Sequence, residues 1–103
     1  MARVTLVRMF FSAVDPADVD EVHRIFTEDV RPAFEELGCR SAELLTSDEP
    51  NAGGLIEGVM VSRWASVDDI DRALQARPIT ESLVRVRKYL RLEPITRTFE
   101  VME

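Results

Sequence analysis

The chain has 103 residues, 46% of them apolar, and a formal net charge of -6, which fits one globular domain, residues 1 to 103, that would gain from oligomerisation. The acidic balance excludes general binding to nucleic acid or to an anionic membrane, since both need a basic surface to meet phosphates. A single cysteine, Cys39, excludes an internal disulfide framework; no stretch is long enough to span a bilayer, and charge interrupts the first residues too early for a signal peptide, so a cytoplasmic protein is expected.

The first strand is expected from Val4 to Phe11, with Leu6 and Phe10 on one face and Val7, Met9 and Phe11 on the other, so both faces call for cover. Asp15-Pro16-Ala17-Asp18 then reads as a helix start: a capping acid, a proline at the first helical position and an acid in the first turn. Val19, Val22, Phe26, Val30, Ala33, Phe34 and Leu37 follow at helical spacing and draw one apolar stripe. Pro32 predicts a kink or break, because proline removes a backbone donor and clashes with the preceding turn. Gly38 supplies a left-handed stop.

A second strand, Cys39 to Thr46, leads through the Gly/Pro/Asn-rich loop from Ser47 to Gly54 into a third, Leu55 to Trp64. This third strand is apolar on both faces, with Leu55, Val59 and Val61 on one and Ile56, Met60 and Trp64 on the other. Ser66 can cap the next helix, with Asp69 at the matching position of a capping box. That helix, carrying Val67, Ile70, Ala73 and Leu74, should end near Ala76 ahead of Pro78. Thr80 is placed to cap a further helix with Leu83, either Val86 or Val84, and Leu90 inward and its arginines outward. A last strand runs from Leu92 to Met102, with Pro94 suiting an edge position.

The order is β-α-β-β-α-β: an α+β, ferredoxin-like split βαβ fold whose four-stranded antiparallel sheet, in the order 4-1-3-2, has helices on one face. The other face is left apolar and uncovered, which predicts a homodimer through the sheets. Charge is uneven: acids crowd Asp15 to Glu36, whereas Arg85, Arg87, Lys88 and Arg91 make the C-terminal third basic. Arg8, Glu43, Glu57 and Arg97 each lie in a strand among apolar residues. Their expected use is an Arg/Glu network inside the barrel or across the dimer, and the functional alternative is that Arg8 or Arg97 holds a substrate carboxylate or enolate.

With that order and the run Val61-Ser62-Arg63-Trp64-Ala65-Ser66-Val67-Asp68-Asp69, the chain resembles the dimeric α/β barrel superfamily, and within it the antibiotic biosynthesis monooxygenase-like domains. The resemblance rests on an aromatic residue ending the third strand, a serine capping the next helix and an acid after it. It implies two protomers with facing sheets, a small-molecule pocket between sheet and helices, and no cofactor. The haem-degrading branch is set aside: Ala73 and Leu83 stand where it has tryptophan and histidine, Val7 or Arg8 where it has asparagine, and so the iron would lack its proximal ligand.

His23, the only histidine, is the candidate proton acceptor if it points into the pocket, and otherwise a helix-surface residue beside an acid such as Asp20. Trp64 either lines a pocket against an aromatic substrate or anchors the core. Tyr89 offers a phenol near basic residues or packs at a helix end. Cys39 beside Arg40 has no base to activate it, and a lone histidine without a carboxylate or thiol cluster makes no metal site. Two functions follow. One is a cofactor-independent monooxygenase, or related isomerase, of a small aromatic or polyketide-like molecule, with His23 as base, Trp64 and Tyr89 as pocket residues and Arg8 or Arg97 as anion partner. The other is a non-catalytic dimeric protein that binds a small molecule or a partner.

Overall fold

Runs rich in β-branched and aromatic residues form the strands β1 (Leu6–Val14), β2 (Ser41–Thr46), β3 (Ile56–Trp64) and β4 (Ile95–Glu100), joined in the order β2-β3-β1-β4 with every pair antiparallel. The computed structural model describes residues 5 to 102; Val4, the expected start of β1, lies outside them. β1 runs past Phe11 because Ser12, Ala13 and Val14 still pair with Gly58, Glu57 and Ile56. β4 is an edge strand, exposed along its length, and begins only after Pro94, which cannot donate to a ladder.

Register sorts the side chains into two faces, because directly opposed residues of paired strands project the same way. Leu6, Arg8, Phe10, Ser12 and Val14 of β1 oppose Trp64, Ser62, Met60, Gly58 and Ile56 of β3 under the helices. Val7, Met9 and Phe11 oppose Arg63, Val61 and Val59 on the other side.

The first helical segment does not break at Pro32. It runs as a 3-10 turn (Pro16–Asp18), α1 (Val19–Ile25), a π turn (Phe26–Val30) and α2 (Arg31–Glu36). The Arg31 N–H donates to the carbonyl of Phe26, five residues back. Widening the helix by one residue relieves the clash between the proline ring and the carbonyl of the preceding turn, so the helical run continues through Pro32. Gly38, with φ of 104°, ends the segment as expected. Asp15 precedes the first turn but makes no side-chain cap; its carboxylate pairs with Arg91 at 2.6 Å.

α3 (Val67–Gln75) is capped as the sequence predicts, the Asp69 N–H donating to Ser66 Oγ at 3.1 Å. α4 (Arg77–Arg87) departs from expectation: Pro78 falls in its first turn, where a missing N–H costs nothing, so the helix starts before Thr80. The Thr80 hydroxyl donates to the Arg77 carbonyl at 3.0 Å and caps nothing. The core joins Ile25, Phe26, Val30 and Phe34 of the first segment to Ile70, Ala73, Ile79 and Val86 of α3 and α4, over Leu6, Ala42 and Trp64 of the sheet. No helix among the described residues is long and apolar enough to cross a membrane.

Ser66→Ala should therefore destabilise the protein by about 1 kcal/mol, the usual worth of a cap, whereas Thr80→Ala should stay within about 0.5 kcal/mol. Urea unfolding midpoints of the two variants check this, and an equal loss at both sites would contradict the observed helix starts.

Candidate functional site

The third strand ends in a buried knot that fixes one wall of the site. Trp64 is buried, its Nε1–H donates to Ser62 Oγ at 2.8 Å, and Phe34 meets its ring edge-on with centroids 5.3 Å apart. A buried indole N–H needs such a partner, and Ser62, two residues back on the same strand face, supplies it.

Next to this knot, between the sheet and the helices, lie adjoining chambers that share lining residues. The largest, about 240 Å³, is walled by Phe34, Ser62, Leu74 and Thr96 and carries Arg8 and Arg87. Phe10, Met60 and Leu83 divide it from an inner chamber of about 70 Å³ under Val22, Phe26, Val30 and Val86. A third of about 30 Å³ continues past Val14, Val19 and Ile56, sharing Val22, Leu44 and Gly58 with the second. The π turn brings Phe26 and Val30 to the roof. Gly58 leaves the floor open, and a Cβ there would meet only ordinary contacts at 3.7 and 4.0 Å.

The wall is apolar except at one end. The Ser12 hydroxyl is turned away to the Leu92 carbonyl at 2.7 Å, and Ser62 already accepts from Trp64. Arg8 is half-buried and donates to Thr98 Oγ1 at 3.1 Å. Arg87 is exposed, in the last turn of α4, where the helix dipole favours a cation. Among the described residues, ion pairs engage Arg24, Arg72, Arg77, Arg85 and Arg91, but neither Arg8 nor Arg87.

Of the residues singled out in the sequence, only Arg8 lines these chambers. His23 is exposed on α1 and is not part of their lining, so the structure does not bring the expected base to the cavity. Its helix neighbour Arg24 pairs instead with Glu21 and with Glu28, and the Arg24 hydrogen bond holds the Glu21 carboxyl below its ordinary range. Trp64 supports the wall through Phe34 and Ser62 without lining it. Tyr89 packs against the core, and Arg97 projects from the opposite sheet face, opposed to Met9. Burial pushes the Cys39 thiol up, which keeps it protonated. Arg87 was legible at one remove: it is exposed, as expected of the α4 arginines, but stands four residues after Leu83 and so borders the chamber from the same helix side.

The four strand charges do not share a face. Arg8 is under the helices, whereas Glu43 and Arg97 lie on the outer face in one cross-sheet row, Glu43, Val61, Met9, Arg97. Glu57, opposite Ala13, belongs to that face as well. Around the row, Leu45, Ile95 and Phe99 are each about half exposed, at 50%, 54% and 48%.

This sheet order, with helices on one face and a cavity beneath them, is the fold of dimeric α/β barrel proteins. Residues 5–82 match the family model for antibiotic biosynthesis monooxygenase, and the chain belongs to that family. Among solved structures it is similar to SnoaB, a cofactor-independent oxygenase from Streptomyces nogalater, at 17% identity, with 99% of this chain and 96% of that one covered and a TM-score of 0.75. Rv0793 from Mycobacterium tuberculosis is 17% identical over 96% of both chains, with a TM-score of 0.73. A conserved protein from Methanosarcina mazei Go1 is 13% identical over 94% of this chain and 92% of that one, with a TM-score of 0.75. At such identities these likenesses speak for the fold. No curated protein matches the sequence.

Trp64→Phe keeps the ring contact with Phe34 but leaves the buried Ser62 oxygen without its donor. We expect a loss of about 1–3 kcal/mol, read from denaturant unfolding. Ser62→Ala combined with Trp64→Phe removes both polar partners and should cost less than the two single changes added together.

Proposed function

We propose that the protein is a cofactor-independent monooxygenase of a small aromatic or polyketide-like molecule bound in the chambers between sheet and helices. The observation that carries the reading is a mostly apolar cavity between sheet and helices whose polar end is cationic. Family membership and the SnoaB-like fold support it. The chemistry suited to such a cavity is oxidation of an activated ring methylene: the CH₂ carbon and O₂ give C=O and H₂O, with O₂ as the co-substrate. The substrate must first lose a proton and become electron-rich enough to reduce oxygen. Among the described residues no acid and no histidine lines the three chambers. The proton therefore leaves to solvent, and the chain's part is to orient the ring, exclude water and stabilise the anion by the field of its arginines.

The lack of a proton acceptor on the wall favours a second reading, a binding protein that uses the same cavity without turnover. Oxygen consumption with an anthrone as probe separates the two. Uptake should be enzyme-dependent and should disappear in Gly58→Val, whose side chain enters the inner chambers, while the thermal midpoint of that variant holds or rises because valine suits a strand. Anthrone binding without uptake would leave the binding reading.

The outer sheet face is the proposed dimer surface, with a second copy covering Phe11, Val59, Val61 and Leu45. A two-fold axis along the strands would place Glu43 of one copy opposite Arg97 of the other, since the two lie at opposite ends of one row. Glu43→Arg and Arg97→Glu should each weaken dimerisation at least about tenfold in sedimentation equilibrium, and the double exchange should restore it. Failure of the double variant to recover would refute this pairing.

A further inference from the structure

The cavity has a charge for which the described residues offer no ion-pair partner. Arg8 and Arg87 come from distant parts of the chain, the central strand and the end of α4, yet border one chamber. No described carboxylate pairs with either, in a protein whose net charge is -6 and whose other helix arginines mostly hold acids. Two guanidinium groups brought together without a counter-ion repel each other, and the cost is offset when an anion arrives between them. The hydroxyls nearby do not supply it: Ser62 is engaged with Trp64, and Thr98 accepts from Arg8.

The rest of the lining describes the other end of the ligand. Beyond Phe10, Met60 and Leu83 the space is lined mostly by apolar side chains under the π turn. A ligand that fills both parts is long enough to pass that constriction and is polar at one end only. A planar fork of donors such as guanidinium matches a carboxylate in particular. Arg8 is held by Thr98 and would give a fixed contact, while the exposed Arg87 can close over the bound group and also borders an outer groove with Arg91 and Glu93.

We propose that the ligand of this cavity is an amphipathic acid, its carboxylate held by Arg8 and Arg87 and its aromatic or otherwise apolar body inserted past Met60 toward Phe26. The inference rests on the reading of these chambers as the substrate site and adds the substrate's class.

Calorimetric titration with 2-naphthoic acid and with the neutral 2-naphthamide tests this without requiring turnover. The native protein should bind the acid at least about tenfold more tightly than the amide, the usual worth of a charge-assisted pair. Arg8→Met and Arg87→Met should each shrink that preference while amide affinity stays the same, and raised salt should reduce acid binding alone. Equal affinity for acid and amide in the native protein would overturn the inference, whether or not the variants fold, and would leave the cavity as a neutral-ligand site. Binding of neither probe would overturn it together with the cavity reading. Oxygen uptake that fails while the acid preference holds would remove the monooxygenase proposal and keep this one.

Discussion

The contact on which the architecture depends is the one between Trp64, Ser62 and Phe34. A tryptophan at the end of a strand brings a large apolar surface and a single donor that cannot be left dry. Ser62 satisfies that donor from within the same strand, so the ring can be buried without recruiting a loop or a water. Its edge then fixes Phe34, and with it the angle at which the first helical segment crosses the sheet. Ser66, two residues on, starts α3. One short run thus places a strand end, a helix crossing and a helix start, and the largest chamber lies against its Ser62 and against Phe34.

The cavity persists because the helices above it cannot settle fully onto the sheet. Close packing is the default of protein interiors, and empty space needs a reason. Here the reasons are local. Pro32 widens the preceding turn into a π turn, which displaces the roof residues Phe26 and Val30 from a regular helical register. Below them Gly58 contributes no side chain to the floor. A proline and a glycine, each unfavourable in an ordinary helix or strand interior, together keep open the volume that a ligand would occupy.

Much of the fold was legible in the sequence because it is written in short-range periodicity. The two-faced patterns of β1 and β3, the serine cap of α3 and the left-handed Gly38 each depend on neighbours a few residues apart. The misplaced features depend on something else. Proline has two meanings, helix start or helix stop: Pro16 reads as a start and is one, whereas Pro78 reads as a stop but lies in the first turn of α4. Asp15 has the chemistry of a cap but meets Arg91, which is remote in sequence. The site was less legible still, since alternation assigns Arg8 and Arg97 to faces but does not say which face the helices cover. His23 drew notice by its chemistry alone, whereas Leu83 and Arg87 share a side of α4 by simple spacing.

What the site asks of chemistry follows from the absence of a titratable acid or histidine among the described residues that line it. General-base catalysis needs an acceptor within hydrogen-bond reach of the acidic C–H, and the nearest candidate of that kind in the sequence, His23, faces solvent on α1. Stabilising the product of ionisation does not need an acceptor at all. In a water-excluded space a fixed cation lowers the free energy of a nearby anion far more than it would in water, so an acidic phenol or activated methylene can ionise through an equilibrium with solvent and remain ionised once enclosed. Arg8 of β1, hydrogen-bonded to Thr98, stands as a half-buried cation at the polar end of the largest chamber, with the apolar wall running away from it. On the proposed monooxygenase reading, a cavity with no base on its wall would call for a substrate that carries its own acidity.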